Sequence, residues 1–229
     1  MGESGMTGRD PAKGAVVRRV ADEGEVARRA AEELARAATQ AVAERGRFTL
    51  ALTGGETPRH LYELLADPGA PFRGSLPWDR IHCFFGDERH VPPKHADSNF
   101  RMAHEALLEH VQPRSVHRMR GEEPDAETAA RSYEAELERF FGLAVGGDPP
   151  PRFDLVLLGL GEDAHVASLF PGHAALEERR RWVIGPYAEH LGAHRITLTF
   201  PVLNRAREVM FLVAGERKAD AVAKVLARG

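Results

Sequence analysis

The segment Phe153 to Leu158, FDLVLL, restricts the fold more than any other stretch of this chain. Leu155-Val156-Leu157-Leu158 is an unbroken apolar run, whereas a strand with one solvated face alternates apolar and polar residues. Such a run belongs to a strand covered by helices on both faces, the setting of a parallel sheet. Similar runs recur at Phe48 to Leu52 (FTLAL) and Ile81 to Phe85 (IHCFF). Further strands are expected at Ala15 to Val20, Trp182 to Gly185, Arg195 to Phe200 (RITLTF, by its β-branched alternation) and Glu208 to Ala214.

Helical periodicity fills the intervals. Between Asp22 and Arg45, Val26, Ala30, Leu34, Ala38 and Val42 recur every fourth residue, with Arg28, Arg29, Glu32, Glu33 and Arg36 on the other side; Gly46 then suits the left-handed stop. Other helices are expected over Arg59 to Leu65, from a cap at Asp97 or Ser98 to about His110, over Glu123 to Phe141, in a short piece from Pro201 to Ala206, and at the C-terminus to Ala227. The Pro- and Gly-rich stretch Asp67 to Pro77 reads as a surface loop, and Gly142 to Pro151 as a linker. That linker is not taken as a domain boundary, because neither half has enough strands to close its own sheet. The expected organisation is a flexible leader over residues 1–14 and a single α/β domain, its sheet mostly parallel, over 15–229.

With 43% apolar residues in 229, the chain can bury a sizeable core. A formal charge of −3 offers no basic stripe for a nucleic-acid backbone. The apolar runs fall well short of the ~20 residues a membrane span needs, and the N-terminus is polar rather than signal-like. Cys83, the single cysteine, lies within an apolar run as a small buried hydrophobe. These features fit a cytoplasmic protein without nucleic-acid or membrane partners, as a monomer or small homo-oligomer.

Polar residues gather where the strands end. After the Phe48 strand come Thr53-Gly54-Gly55-Glu56-Thr57-Pro58 and a helix, with Thr57 expected as the N-cap and Pro58 at the first helical position. Strand, glycine pair and helix can cradle an anion on free amides, or can simply be a well-capped βα turn. After Phe85 come Gly86-Asp87-Glu88-Arg89-His90, where Asp87 and Arg89 fit a bracing ion pair or a ligand site. After Leu158, Glu162-Asp163-Ala164-His165 sets carboxylates beside an imidazole. A histidine there is either structural or a proton-transfer group, and Asp163 can fix its tautomer. Lys218 stands at the last strand-to-helix junction.

In a parallel sheet these loops share one rim, which points to a small anionic ligand and acid–base chemistry. Metal ligation by His90, His95 and Asp87, or by Asp163, His165 and His173, matches no zinc spacing. Ser168 lacks the G-x-S-x-G elbow, and neither dinucleotide nor nucleoside-triphosphate glycine motif is present.

The motifs TGGETP, FFGDERHVPPKHADSN, FDLVLLGLGEDAHVASLFPG, RITLTFPVLN and AGERKA, in this order, resemble the 6-phosphogluconolactonases, over roughly Phe48 to Lys218. The resemblance implies a doubly wound, Rossmann-like α/β fold shared with glucosamine-6-phosphate deaminases and ribose-5-phosphate isomerase. It is similar to the lactonases rather than the deaminases in the ASLFPG that follows His165 and in Asp87-Glu88-Arg89. It implies His165 as the general base on water and Asp163 as its orienting partner. It also implies a phosphosugar lactone held by the amides of Gly54 and Gly55, the hydroxyls of Thr53 and Thr57, Arg195 and Lys218. Arg89 would bind phosphate or the developing oxyanion, and Asp87 and Asn99 would contact sugar hydroxyls or brace the loop. No metal or organic cofactor is implied. Two positions depart from the family's pattern: Thr53 replaces a usual serine, and Ala164 a usual glycine. If residue 164 needs a positive φ, alanine there is strained by ~1 kcal/mol or more.

Overall fold

The computed structural model describes residues 7–9, 15–144 and 149–227. From the N-terminus, β1 (Thr7–Arg9) and β2 (Val16–Arg18) form an antiparallel ribbon. Thr7–Arg9, expected within a flexible leader, are thus in a strand, and the strand expected over Ala15 to Val20 joins this ribbon rather than the main sheet. The rest of the leader, residues 1–6 and 10–14, lies outside the described residues.

The chain continues as α1 (Glu23–Arg45), β3 (Phe48–Leu52), α2 (Glu56–Ala66), the short α3 (Pro71–Ser75), β4 (Ile81–Phe85) and β5 (Asp87–Arg89). A continuous helical segment follows: α4 (Asn99–Ala103), a π turn over His104–Leu108, and α5 (Glu109–Val111). Next come β6 (Ser115–Val116), α6 (Ala126–Phe141), β7 (Leu155–Leu158), β8 (Val183–Ile184), β9 (Tyr187–Ala188) and β10 (Ala193–Leu198). The chain closes with α7 (Phe200–Leu203), β11 (Glu208–Phe211) and α8 (Ala219–Ala227).

Five strands make a wholly parallel sheet in the order β11-β7-β3-β4-β6. From β3 the chain builds outward through β4 to β6, then returns to β3's other side and builds through β7 to β11. The order therefore reverses between β3 and β7, and that crevice is where open α/β sheets place ligands. Every residue of β3 and β7 is buried, as the apolar runs require. Buried Asp154, just before β7, locks the strands' amino ends: it accepts from the amide and hydroxyl of Thr49, each at 2.8 Å, and pairs with Arg45 at 2.9 Å and Arg207 at 3.3 Å.

A second, antiparallel sheet runs β5-β10-β8, with β9 also on β10. The RITLTF strand lies here, not in the parallel sheet. Its alternation fits an antiparallel strand, and α6 packs beneath it. Gly46 closes α1 at φ 73, the left-handed cap expected of it. Cys83 is fully buried, which pushes its thiol up to about 12.

Candidate active site

The turn after β3 is built from backbone. Gly55, at φ 107, is the N-cap of α2 and supplies no side-chain cap, so the helix starts at Glu56. Thr57, expected as the cap, instead lies in the first turn, and Pro58 lies one residue further in. Proline fits there because the first-turn amides have no intrahelical partner. The helix thus directs an uncapped amino end toward the rim, the arrangement that suits an anion. Thr53 is held by the buried Tyr62 hydroxyl, which accepts from its amide at 3.0 Å and donates to its carbonyl at 2.9 Å. Gly54 has no room for a side chain: a Cβ would lie 1.9 Å from Asn99 Oδ1.

Asn99 connects this turn to the next. Its Nδ2 donates to the carbonyl and to Oδ1 of Asp87, at 3.0 and 3.2 Å, while the other Asp87 oxygen accepts from Ser168 Oγ at 2.8 Å. Asp87, Asn99 and Ser168 are all buried. This chain of contacts ties the glycine turn, the β5 segment and the histidine loop into one unit. Beneath it, Glu88 accepts from the amides of Arg89, Asn99 and Phe100 and from the Ser98 hydroxyl, at 2.7–2.9 Å. Burial raises its carboxyl above the usual range, and those four donors only partly offset that. Ser98 also caps α4 through the amide of Arg101.

In the histidine loop, Asp163 Oδ1 lies 2.6 Å from His165 Nδ1 and accepts from the His165 amide at 3.1 Å. Burial raises the Asp163 carboxyl, but the hydrogen bonds from His165 outweigh it and hold the group below its ordinary value. A carboxylate at Nδ1 makes that nitrogen the N–H and leaves Nε2 with its lone pair. The ring of Phe170 packs 4.5 Å from the imidazole. Gly161 makes room for both groups, since a Cβ there would approach His165 Nδ1 to 2.1 Å and Asp163 Oδ1 to 2.4 Å. Ala164 has φ 71 and Ala167 φ 49, so two of the three described non-glycine residues at positive φ lie in this loop. Strain of this kind persists where surrounding contacts over-determine the backbone.

The cations come from the antiparallel sheet. Arg89 on β5 and Arg195 on β10 are directly opposed, a placement that puts two like charges on one face. Neither has a carboxylate within ion-pair distance among the described residues. Their guanidinium groups donate to backbone carbonyls, Arg89 to Asp97 at 2.5 Å and Arg195 to His194 at 3.2 Å. Burial, followed by the charge of Arg89, lowers the Arg195 guanidinium below its usual value despite the acids nearby. Two adjacent arginines without a direct ion-pair partner among the described residues suit a phosphate. Lys218 ends a 3₁₀ turn after β11 and has no carboxylate partner among the described residues; its neighbour Arg217 lies 3.5 Å from Glu162 of the histidine loop.

Among the described residues, no cluster of three or more histidine, cysteine or acidic side chains is placed to hold a metal ion. No described helix is long and apolar enough to cross a membrane.

A family model described as glucosamine-6-phosphate isomerases/6-phosphogluconolactonase matches residues 21–229. The chain belongs to that family. The 6-phosphogluconolactonase of Synechocystis sp. is 47% identical over 191 residues, covering 82% of this chain and 75% of that one. That of Nostoc sp. is 44% identical over 189 residues, with the same two coverages. The structure of 6-phosphogluconolactonase from Leishmania guyanensis matches with a TM-score of 0.81 at 28% identity, over 92% of this chain and 86% of that one. Within the glucosamine-6-phosphate isomerase/6-phosphogluconolactonase family, the chain stands on the lactonase, hydrolase side.

Several supporting residues of the site carry no local sequence signal. Glu88 sat in a run of titratable residues with nothing to mark it as the buried one. Tyr62 and Phe170 are apolar-bodied residues within a helix and a loop, with nothing local to mark their contacts to Thr53 and His165. Gly161, two residues before Asp163, was the one legible hint that a side chain folds back over the backbone.

Proposed function

We propose that this protein hydrolyses 6-phospho-D-glucono-1,5-lactone to 6-phospho-D-gluconate, the lactonase step of the oxidative pentose phosphate pathway, in the cytoplasm. The observation that carries the reading is the Asp163–His165 pair at the carboxyl end of β7, with Nε2 left as the basic nitrogen. His165 Nε2 takes a proton from water as the water oxygen bonds to the lactone carbonyl carbon. When the tetrahedral intermediate collapses, the bond from that carbon to the ring oxygen breaks, and the imidazolium returns the proton to the departing oxygen. Asp163 keeps the tautomer and stabilises the imidazolium. The lactone carbonyl is electrophilic enough that a positioned water and base suffice.

The phosphate is held by Arg89 and Arg195, by the amides of Gly54 and Gly55, by the hydroxyls of Thr53 and Thr57, and by Lys218. Asp87 and Asn99 keep these loops in register and border the sugar. The supporting feature is the opposed arginine pair, whose mutual repulsion a dianion relieves.

The family's description also names glucosamine-6-phosphate isomerases. One pair of assays separates the two activities. Lactone generated in situ from glucose 6-phosphate should disappear faster than its unaided hydrolysis when purified protein is added, and glucosamine 6-phosphate should release no ammonia. Ammonia release without faster lactone loss would overturn the proposal. Tight 6-phosphogluconate binding without turnover would instead indicate a sugar-phosphate sensor.

A further inference from the structure

At the opposite, amino-terminal rim of the parallel sheet lies a second set of reactive side chains. Ser115, the first residue of β6, has its Oγ 2.7 Å from His117 Nε2, and His117 Nδ1 is 2.5 Å from Glu136 Oε1 on α6. A carboxylate can only accept, so His117 carries its proton on Nδ1 and presents a lone pair at Nε2. The Ser115 hydroxyl therefore donates to His117, and its oxygen is left to accept from His82 Nδ1, also at 2.7 Å. Nucleophile, base and orienting carboxylate stand in hydrogen-bonded order, with Nε2 toward the serine and Nδ1 toward the acid, as nucleophilic hydrolysis by serine requires. The imidazole is fixed by stacking on Phe84 at 4.3 Å and is 15% exposed.

The surroundings can admit a substrate. β6 is the outer strand of the sheet and, among the described residues, pairs only with β4. Beside it is a cavity of about 330 Å³ lined by Gly46, Asp79, Arg80, His82 and Arg114, in which Arg80 is paired with Asp79 at 3.3 Å; His82 is the residue that joins the cavity to Ser115. Among the described residues, Arg114 has no carboxylate within ion-pair distance, so the cavity offers positive charge one residue from Ser115.

We propose that Ser115, His117 and Glu136 form a second, serine-based acyl-transfer centre, separate from the His165 site, that accepts small anionic esters. Ser115 Oγ bonds to the ester carbonyl carbon while its proton passes to His117 Nε2. The bond to the leaving alkoxide breaks as that proton is delivered to it, and water then releases the acid from the acyl-serine by the same route. As Oγ gives up its proton and bonds to the carbonyl carbon, the His82 Nδ1–H that donates to Oγ in the resting site can turn to the developing oxyanion. Arg114 holds the ester's negative charge, while Arg80 is paired with Asp79.

The full-length protein, in a His165→Ala background to silence the first site, is treated with a fluorophosphonate, and the modified residue is located by mass spectrometry. We expect modification at Ser115, abolished in Ser115→Ala and slowed at least tenfold in Glu136→Gln with the circular dichroism spectrum unchanged. With 4-acetoxybenzoate and the neutral 4-nitrophenyl acetate as substrates, Arg114→Ala should reduce turnover of the anionic ester at least tenfold and leave the neutral one within twofold. Should Glu136→Gln fail to fold, His117→Gln reads the same dependence. Absence of phosphonylation at Ser115, or equal rates with and without the His117–Glu136 pair, overturns the proposal and leaves the array as a brace between β6 and α6.

Discussion

The two sheets contribute to the His165 site in opposite ways. Strands β3 and β7 of the parallel sheet are buried along their whole length and carry no chemistry themselves; they fix the points from which the glycine turn and the histidine loop depart. The antiparallel sheet is different. Its strands β5 and β10 carry Asp87, Glu88, Arg89 and Arg195 as strand residues, so the backbone register itself sets one arginine against the other. A rigid, apolar sheet places loops, while a small polar sheet places charges directly. The two are locked together at Asp87, which belongs to β5 and accepts from both Asn99 and Ser168.

That contrast can be broken from either side. The largest effect is expected in the loop that the parallel sheet delivers. Asp163→Asn should lower kcat at least 100-fold with little change in KM, because the imidazole loses its orienting carboxylate, in steady-state assays of lactone loss. Asp163 is held below its ordinary value, so its stabilising contribution is present above the unfolded-state value and is lost as pH falls through the lowered folded one. The acid limb of thermal stability should therefore flatten in the variant. On the antiparallel sheet, Arg89→Ala and Arg195→Ala should each raise KM by about 10-fold or more, as loss of a charge-assisted contact of about 1.5–3 kcal/mol implies. If KM stays unchanged in both, the opposed pair is structural.

Support beneath the site gives a smaller, thermodynamic effect. Glu88→Ala strands three buried amides and a hydroxyl, and should destabilise the fold by on the order of 3 kcal/mol in urea titrations. The raised Glu88 value has the opposite linkage to Asp163: its effect favours the folded state below the unfolded-state value and fades as pH rises through the folded one. Smallest of all, Ala164→Gly should stabilise the protein by at most about 1 kcal/mol, since glycine adopts φ 71 without Cβ strain but its larger entropy loss on folding offsets part of that relief. Thermal melts would register this as a small upward shift with activity retained.

The parallel sheet was legible in the sequence because burial on both faces leaves a continuous apolar signature, as in FTLAL and LVLL. Gly46 was legible as a cap, and the start of α4 was narrowed to Asp97 or Ser98, of which Ser98 is the cap, because capping is local chemistry. Thr57 was misplaced as a cap because Gly55, with its positive φ, starts α2 earlier without any side-chain bond. RITLTF announced a strand but not its sheet, since its partners β5 and β8 are set by tertiary pairing. The opposition of Arg89 and Arg195 was out of reach for the same reason. Ala164 is the case where a sequence departure carried structural meaning, for the position does take a positive φ.

In the proposed function, His165 is the base and the phosphate site is built independently of it. That role of His165 is tested most directly by measuring lactone loss and calorimetric 6-phosphogluconate binding in parallel on wild type and His165→Ala. The variant should lose at least 100-fold of the acceleration over unaided hydrolysis while binding stays within a few-fold of wild type. Acceleration retained to within tenfold would contradict that role and place the base elsewhere on the rim.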